Sequence, residues 1–177
     1  MTRIRPLMFA ALAAATLTAH PALAGPPLVC FPFEIGAARS LPMGTGGWKA
    51  MDPKYNVAHL VDDTLALLTP DTPVLVRMET LRRATIYAST NPAIATALLN
   101  ALQTRAAVPD VHAALAVFDF GYLVETYREA KPIFAGLVAA IDHIDGYQLV
   151  LKAQALQRDE TMARAAKLVG EGLGIRD

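Results

Sequence analysis

Residues Pro109–Ile141, PDVHAALAVFDFGYLVETYREAKPIFAGLVAAI, decide how the rest of the chain is read. Apolar side chains at helical spacing predict a helix from about Asp110 to Ala130. Val111, Ala114, Leu115, Phe118 and Tyr122 make one stripe; Val117, Phe120, Val124 and Tyr127 make another. Only His112, Asp119 and Thr126, each seven residues from the next, leave a narrow polar stripe. A helix with so little polar surface must be covered on most sides by other elements. Gly121 costs about 1 kcal/mol mid-helix against Ala, so it predicts a neighbouring helix at close range. Lys131-Pro132 ends this helix, because the residue before a proline is pushed out of the α region. Pro132 opens a second apolar run, Ile133 to Ile141, expected to form the other half of a hairpin.

Outward from this centre, helical periodicity holds from Asn56 onward. Val57, Leu60, Val61, Thr64, Leu65 and Leu68 share a face and predict a leading helix near 56–68. Thr72 is placed to cap the next helix and Pro73 to take its first position, with Ala88 near its end. Asn91-Pro92 repeats the device before Ile94, Ala97, Leu98, Ala101 and Leu102. Asp145-Gly146 opens a last pair, Tyr147–Gln157 and Thr161–Leu173. No stretch after Asn56 alternates with period two. The expected fold is therefore all-α, about seven helices: a leading helix, then three α-hairpins near 73–105, 110–144 and 145–173. Two internal overlays agree with stacked pairs. Leu81–Leu99 shifted by 70 falls on Leu151–Val169, and Pro92–Leu98 shifted by 40 falls on Pro132–Val138.

Residues 25–55 read as an irregular arm. Five prolines and five glycines break helix and strand periods alike. Leu28, Val29, Phe31, Phe33, Ile35, Leu41 and Trp48 are too apolar for a disordered tail, so the arm is expected to lie across the helices. Before it stands a leader. Arg3 and Arg5 make a basic end, Leu7–Ala15 a short apolar run, and Ala22-Leu23-Ala24 an A-x-A cleavage site. Export to the periplasm or beyond is expected, with cleavage after Ala24. Removal of residues 1–24 from the 177-residue chain leaves 153 residues, enough for one domain. Lys+Arg then falls from 16 to 14 against 16 Asp+Glu, about −2, which speaks against a nucleic-acid partner. No later apolar run approaches the ~18 residues of a membrane span. Cys30 is the only cysteine, so no internal disulfide forms; the thiol is expected buried, with reactivity, pairing with another chain, or metal or haem attachment as the other readings.

The central stretch, 110–144, resembles a tetratricopeptide-type helix pair. Gly121 after Phe120 is similar to the small residue that follows a large apolar one in that family's first helix. Leu137 and Ala140 resemble the large and small pair of its second. Val117 departs from the family's aromatic, Ile133 from its small residue and Asp145 from its closing proline. The resemblance covers one hairpin and implies stacked helix pairs.

Candidate chemistry is sparse. His59, Asp62 and Asp63 place an imidazole and carboxylates on one side of the leading helix, donors suited to a divalent metal, with Asp142-His143-Ile144-Asp145 as a further supply. As a solvated helix face they need no metal. Arg77, Glu79, Arg82 and Arg83 are the densest charge run. They read either as a charged outer face or, with Arg77 and Arg82 beside Tyr87, as a patch for an anionic ligand. No G-x-S-x-G, Ser-x-x-Lys, H-E-x-x-H or strand-borne G-x-G-x-x-G is present, so no catalytic residue is nominated and no cofactor is indicated. The expected function is that of an exported helical module binding or scaffolding another envelope protein or peptide. The alternative is a small exported metal-binding protein or hydrolase using the His/Asp cluster.

Overall fold

The computed structural model describes residues 27–137 and 140–174; the leader expected over 1–24 and its expected cleavage site lie outside them. The described residues are all-helical, with seven helices and no strand. These are α1 (Pro27–Cys30), α2 (Leu60–Leu67, entered through a 3-10 turn at Val57–His59), α3 (Val74–Ala88), α4 (Pro92–Ala106), α5 (Ala113–Ala130), α6 (Gly146–Leu156) and α7 (Glu160–Gly172).

Helix α5 is the covered centre. Every residue from Ala114 to Tyr127 is buried, and α1, α3, α4 and α6 all pack on it. Gly121 is where α6 crosses. A Cβ there would lie 2.6 Å from the Gly146 carbonyl oxygen, 2.8 Å from Leu149 Cβ and 3.0 Å from the Val150 nitrogen. The contact is reciprocal, since a Cβ on Gly146 would lie 2.6 Å from the Gly121 carbonyl oxygen. Two glycines facing each other let the two backbones approach in a way no side chain permits. Val111 departs from the expected stripe: it precedes the helix and is 91% exposed, because Asp110 turns the chain by accepting the His112 amide at 2.7 Å.

The second half of the expected central hairpin is not a helix. Residues 131–137 and 140–145 run as turns, although Leu137 and Ile141 are buried. A helix there would need a free face of α5, and α6 occupies it. Gly136 instead lies against Ser89, where a Cβ would meet the carbonyl oxygen at 2.5 Å. The tetratricopeptide-type resemblance loses its second helix accordingly, and the shift of 40 loses its counterpart. The shift of 70 lays α3–turn–α4 on α6–turn–α7.

Caps follow the sequence in part. Asn91 accepts from the Ala93 amide, Asp145 from Gln148 and Asp159 from Met162. Thr72 does not cap α3. Its hydroxyl turns back to the Leu67 carbonyl at 2.7 Å, closing α2, and Pro73 precedes α3 without a side-chain cap.

The arm lies across the helices. Leu28, Val29 and Leu41 are fully buried, and Phe33, Met43 and Trp48 pack partly buried against the core. Trp48 meets Phe134 edge-on at 6.1 Å, so the turn after α5 helps cover the arm.

Candidate functional site

The charge run of α3 is not an outer face. Arg77 and Arg82 are buried to 1% exposure or less, and Leu75 and Arg83 are the only residues of α3 that are not buried. Arg82 points its fork at Glu79, Nε to Oε2 at 2.7 Å and Nη2 to Oε1 at 2.9 Å. Its Nη1 donates to the carbonyls of Val29 and Trp48, both at 3.0 Å. Arg83 donates from Nε to Glu79 Oε1 at 2.6 Å and from Nη1 to the Leu41 carbonyl at 2.6 Å. Glu79 Oε2 also accepts the Phe33 amide at 2.9 Å. Further along, the Tyr87 hydroxyl donates to the Pro42 carbonyl at 2.7 Å and accepts the Asp52 amide at 2.9 Å. Thr80 and Ser40 pair their hydroxyls at 2.9 Å.

One helix face thus holds the irregular arm by its backbone, and two of the three groups read as an anionic-ligand patch, Arg82 and Tyr87, have the arm as their partner. Burial by itself would push the Glu79 carboxyl up, but the hydrogen bonds and charges of Arg82 and Arg83 pull it below its ordinary value.

Arg77 faces the other way. Its Nη1 donates to Asp119 Oδ2 on α5 at 2.5 Å, Nε to the Thr72 carbonyl at 3.0 Å, and Nη2 to the Thr69 carbonyl. The narrow polar stripe is therefore internal at Asp119 and Thr126, while His112 precedes α5 and is exposed. Asp119 meets Arg77, and Thr126 meets Thr85 of α3 hydroxyl to hydroxyl at 2.9 Å. Burial pushes the Asp119 carboxyl up to about 6 despite the guanidinium beside it.

A second polar line on α5, absent from the sequence reading, comprises Tyr122, Glu125 and Glu129. Glu125 Oε1 accepts the Tyr147 amide at 3.0 Å and pairs with Arg128; Glu129 Oε2 accepts the Leu28 amide at 2.9 Å. Their other oxygens, Glu125 Oε2 and Glu129 Oε1, are buried without a partner, as is the Tyr122 hydroxyl. Burial raises Glu129 to about 7, with Glu125 adding to the effect. A signal for this line was present: any polar residue on a helix apolar nearly all round must face another element.

The proposed metal donors do not converge. His59 is exposed and lies 3.4 Å from Asn56 Nδ2, while Asp63 accepts the Tyr55 hydroxyl at 2.8 Å and Asp62 faces solvent. Among the described residues no three His, Cys, Asp or Glu side chains are grouped to hold a metal ion. Cys30 is half-buried. Burial, then the Glu129 carboxylate, raises its thiol above the ordinary value, the reverse of what an activated nucleophile needs.

Of the open depressions, two bear on function. A polar one of about 520 Å³ gathers Glu125, Arg128, Asp142, His143, Asp145 and Tyr147 between α5 and α6. Its charges are largely matched already: Asp142 pairs with Lys131 at 2.8 Å and Asp145 caps α6. The other, about 490 Å³, is an apolar groove between the arm, α3 and α7. Phe33, Val74, Leu75, Met78, Ala165 and Leu168 line it, with Glu34, Glu160 and Arg164 at its rim. Among the described residues these three rim charges form no ion pair. Only Leu75 of this set is a large hydrophobe left exposed, on a helix where Arg83 alone of the other residues is not buried. No helix among the described residues is long and apolar enough to cross a membrane. No protein-family model, no curated protein and no solved structure matches the chain.

Proposed function

We propose that this chain is an exported helical binding module, and that the groove between the arm, α3 and α7 takes a short apolar segment of another envelope protein. The observation that carries the reading is the groove's make-up. Its floor is aliphatic and aromatic, and its rim carries two carboxylates, Glu34 and Glu160, against the single guanidinium of Arg164. An amphipathic helix or turn with a cationic flank suits that surface: side chains one helical turn apart fill the floor, and Lys or Arg meets the rim. The leader sequence supplies the compartment, since nothing else in the chain calls for an A-x-A site behind a basic end and an apolar run. Charge-paired α3 supports the role from below, because a floor set on a fixed helix loses little entropy when it is occupied.

The test is selection of a random displayed peptide library on the protein as the cell processes it. Selected peptides should carry apolar residues three or four apart and a Lys or Arg flank, and should bind Leu75→Asp at least tenfold more weakly. Peptides without that pattern, or equal binding to Leu75→Asp, would overturn the reading.

A further inference from the structure

Glu125 and Glu129 stand one helical turn apart on α5, and each holds the start of a neighbouring helix with one carboxyl oxygen. Glu125 Oε1 accepts the Tyr147 amide of α6 at 3.0 Å, and Glu129 Oε2 accepts the Leu28 amide of α1 at 2.9 Å. Their remaining oxygens, Glu125 Oε2 and Glu129 Oε1, are both buried and without a partner among the described residues. Side chains at this spacing share a helix face, with Cβ atoms about 5–6 Å apart, so the two carboxyls are within reach of each other. A buried oxygen that lacks a donor is costly, and two ionised carboxyls side by side repel as well.

One cation serves the pair. Arg128 donates to Glu125 Oε1 and to the Ile144 carbonyl, while Glu129 forms no ion pair among the described residues. Near Glu129 stand Cys30 of α1 and Tyr122 of α5, with Glu79 and Arg82 of α3 beyond Tyr122 and bonded to each other. Helix α7 brings Gly172 there, which carries no charge. Near Glu125, across the polar depression, stand Asp142, His143, Asp145 and Tyr147, with Asp142 held by Lys131. None of these gives Glu129 a cation.

We infer that Glu125 and Glu129 share one proton, carried on Glu129 Oε1 and donated to Glu125 Oε2, and that this proton latches the starts of α1 and α6 to α5. A single hydrogen gives both orphaned oxygens a partner and leaves one negative charge on the pair, which Arg128 neutralises. Release of the proton to solvent leaves a second buried carboxylate with no cation, beside the first. Relief comes from water, and α1 stands in its way. A Cβ on Gly172 would lie 3.1 Å from Glu129 Oε1, 3.2 Å from Pro27 Cγ and 3.3 Å from Leu28 Cγ, so the oxygen and α1 border one small space. Hydration of Glu129 therefore works α1 loose, and with it the first contact of the arm. Burial, opposed by the Leu28 amide and joined by Glu125, raises Glu129 to about 7, which puts release near neutrality.

Hydrogen exchange of the Leu28 amide, expressed as protection against its unstructured rate, reads the latch from about pH 5.5 to about pH 8.5. Protection should hold below about pH 6 and fall at least tenfold by about pH 8.5, because opening is linked to loss of a proton, while amides within α3 keep theirs. In Glu129→Gln the side-chain amide replaces the protonated oxygen and donates to Glu125 Oε2, so Leu28 protection should stay high throughout. His143→Gln, on the wall of the depression, should leave the fall unchanged. Protection that does not vary with pH in the unaltered protein, or that falls equally in Glu129→Gln, would overturn the inference. Carboxyl-carbon NMR of the unaltered protein decides it even where the variant misfolds. The Cδ resonances of Glu125 and Glu129 should move together at one midpoint, and movement of Glu129 alone would rule out a shared proton.

Discussion

Helices α3 and α5 both carry ionised side chains into the interior, and they satisfy them differently. On α3, Glu79 takes donors from Arg82, Arg83 and the Phe33 amide, and the two guanidiniums reach three backbone carbonyls of the arm. On α5 lie all four buried side-chain atoms that lack partners among the described residues: Asp119 Oδ1, Tyr122 Oη, Glu125 Oε2 and Glu129 Oε1. The cause is what each helix faces. An irregular arm has backbone N–H and C=O groups unused by its own structure, so laying it over a charged helix meets the needs of both. The neighbours of α5 are mostly helices, whose backbone groups are already bonded internally except at their ends. The two places where α5 acids do find amides are such ends, Tyr147 at the start of α6 and Leu28 at the start of α1.

The largest effect should come from breaking the α3 side of this contrast. Glu79→Ala leaves two guanidiniums without their carboxylate, one of them fully buried, and should cost about 3–5 kcal/mol in urea unfolding. A loss below about 1 kcal/mol would mean that the cluster is solvated and the contrast with α5 is false.

Next is the apolar face of α5. Gly121→Leu should overpack the α6 crossing by about 1–3 kcal/mol or more, beyond the roughly 1 kcal/mol it gains in helix propensity. Gly121→Ala should also destabilise, because the atoms that meet its Cβ include backbone of α6. A higher urea midpoint at unchanged slope for either variant would show that α6 does not cross there.

Helix positions, the Asn91 cap and the close neighbour of Gly121 were legible in the sequence, because periodicity, capping residues and an interior glycine each have a local cause. The arm's dock was not. Glu79, Arg82 and Arg83 at helical spacing look the same whether water or a backbone carbonyl lies beyond them, and carbonyls carry no sequence signal. Ile133–Ile141 misled for the opposite reason. Its apolar residues do mark burial, but Leu137 and Ile141 enter the core singly from turns, since α6 holds the face a helix would need. The orphaned acids were half legible: the polar stripe at Asp119 and Thr126 was visible, whereas Glu125 and Glu129 lie off that stripe and were not singled out. The groove was invisible, because Phe33, Leu75 and Leu168 meet only in three dimensions.

The smallest effect is a difference in sign with pH. Glu79 is held below its ordinary value, so its contribution is present above the unfolded pKa and is lost as pH falls through the folded one. Glu129 is raised from 4.5 to about 7, so its contribution is full below 4.5 and is lost as pH rises through 7. Glu129→Gln should flatten the decline in stability between pH 4.5 and about 7 and leave the acid limb alone. Melting temperatures across that range would settle it, and an unchanged neutral slope would put Glu129 in solvent.

The central claim is that α3 holds the arm as firmly as it holds the core. Hydrogen exchange at the Phe33 and Asp52 amides tests it most directly, since each donates to an α3 side chain, Glu79 and Tyr87 respectively, at 2.9 Å. Both amides should be protected to the same degree as the amides within α3, opening only when the helices open. Exchange at unstructured-chain rates in the arm, with α3 and α5 still protected, would contradict the account.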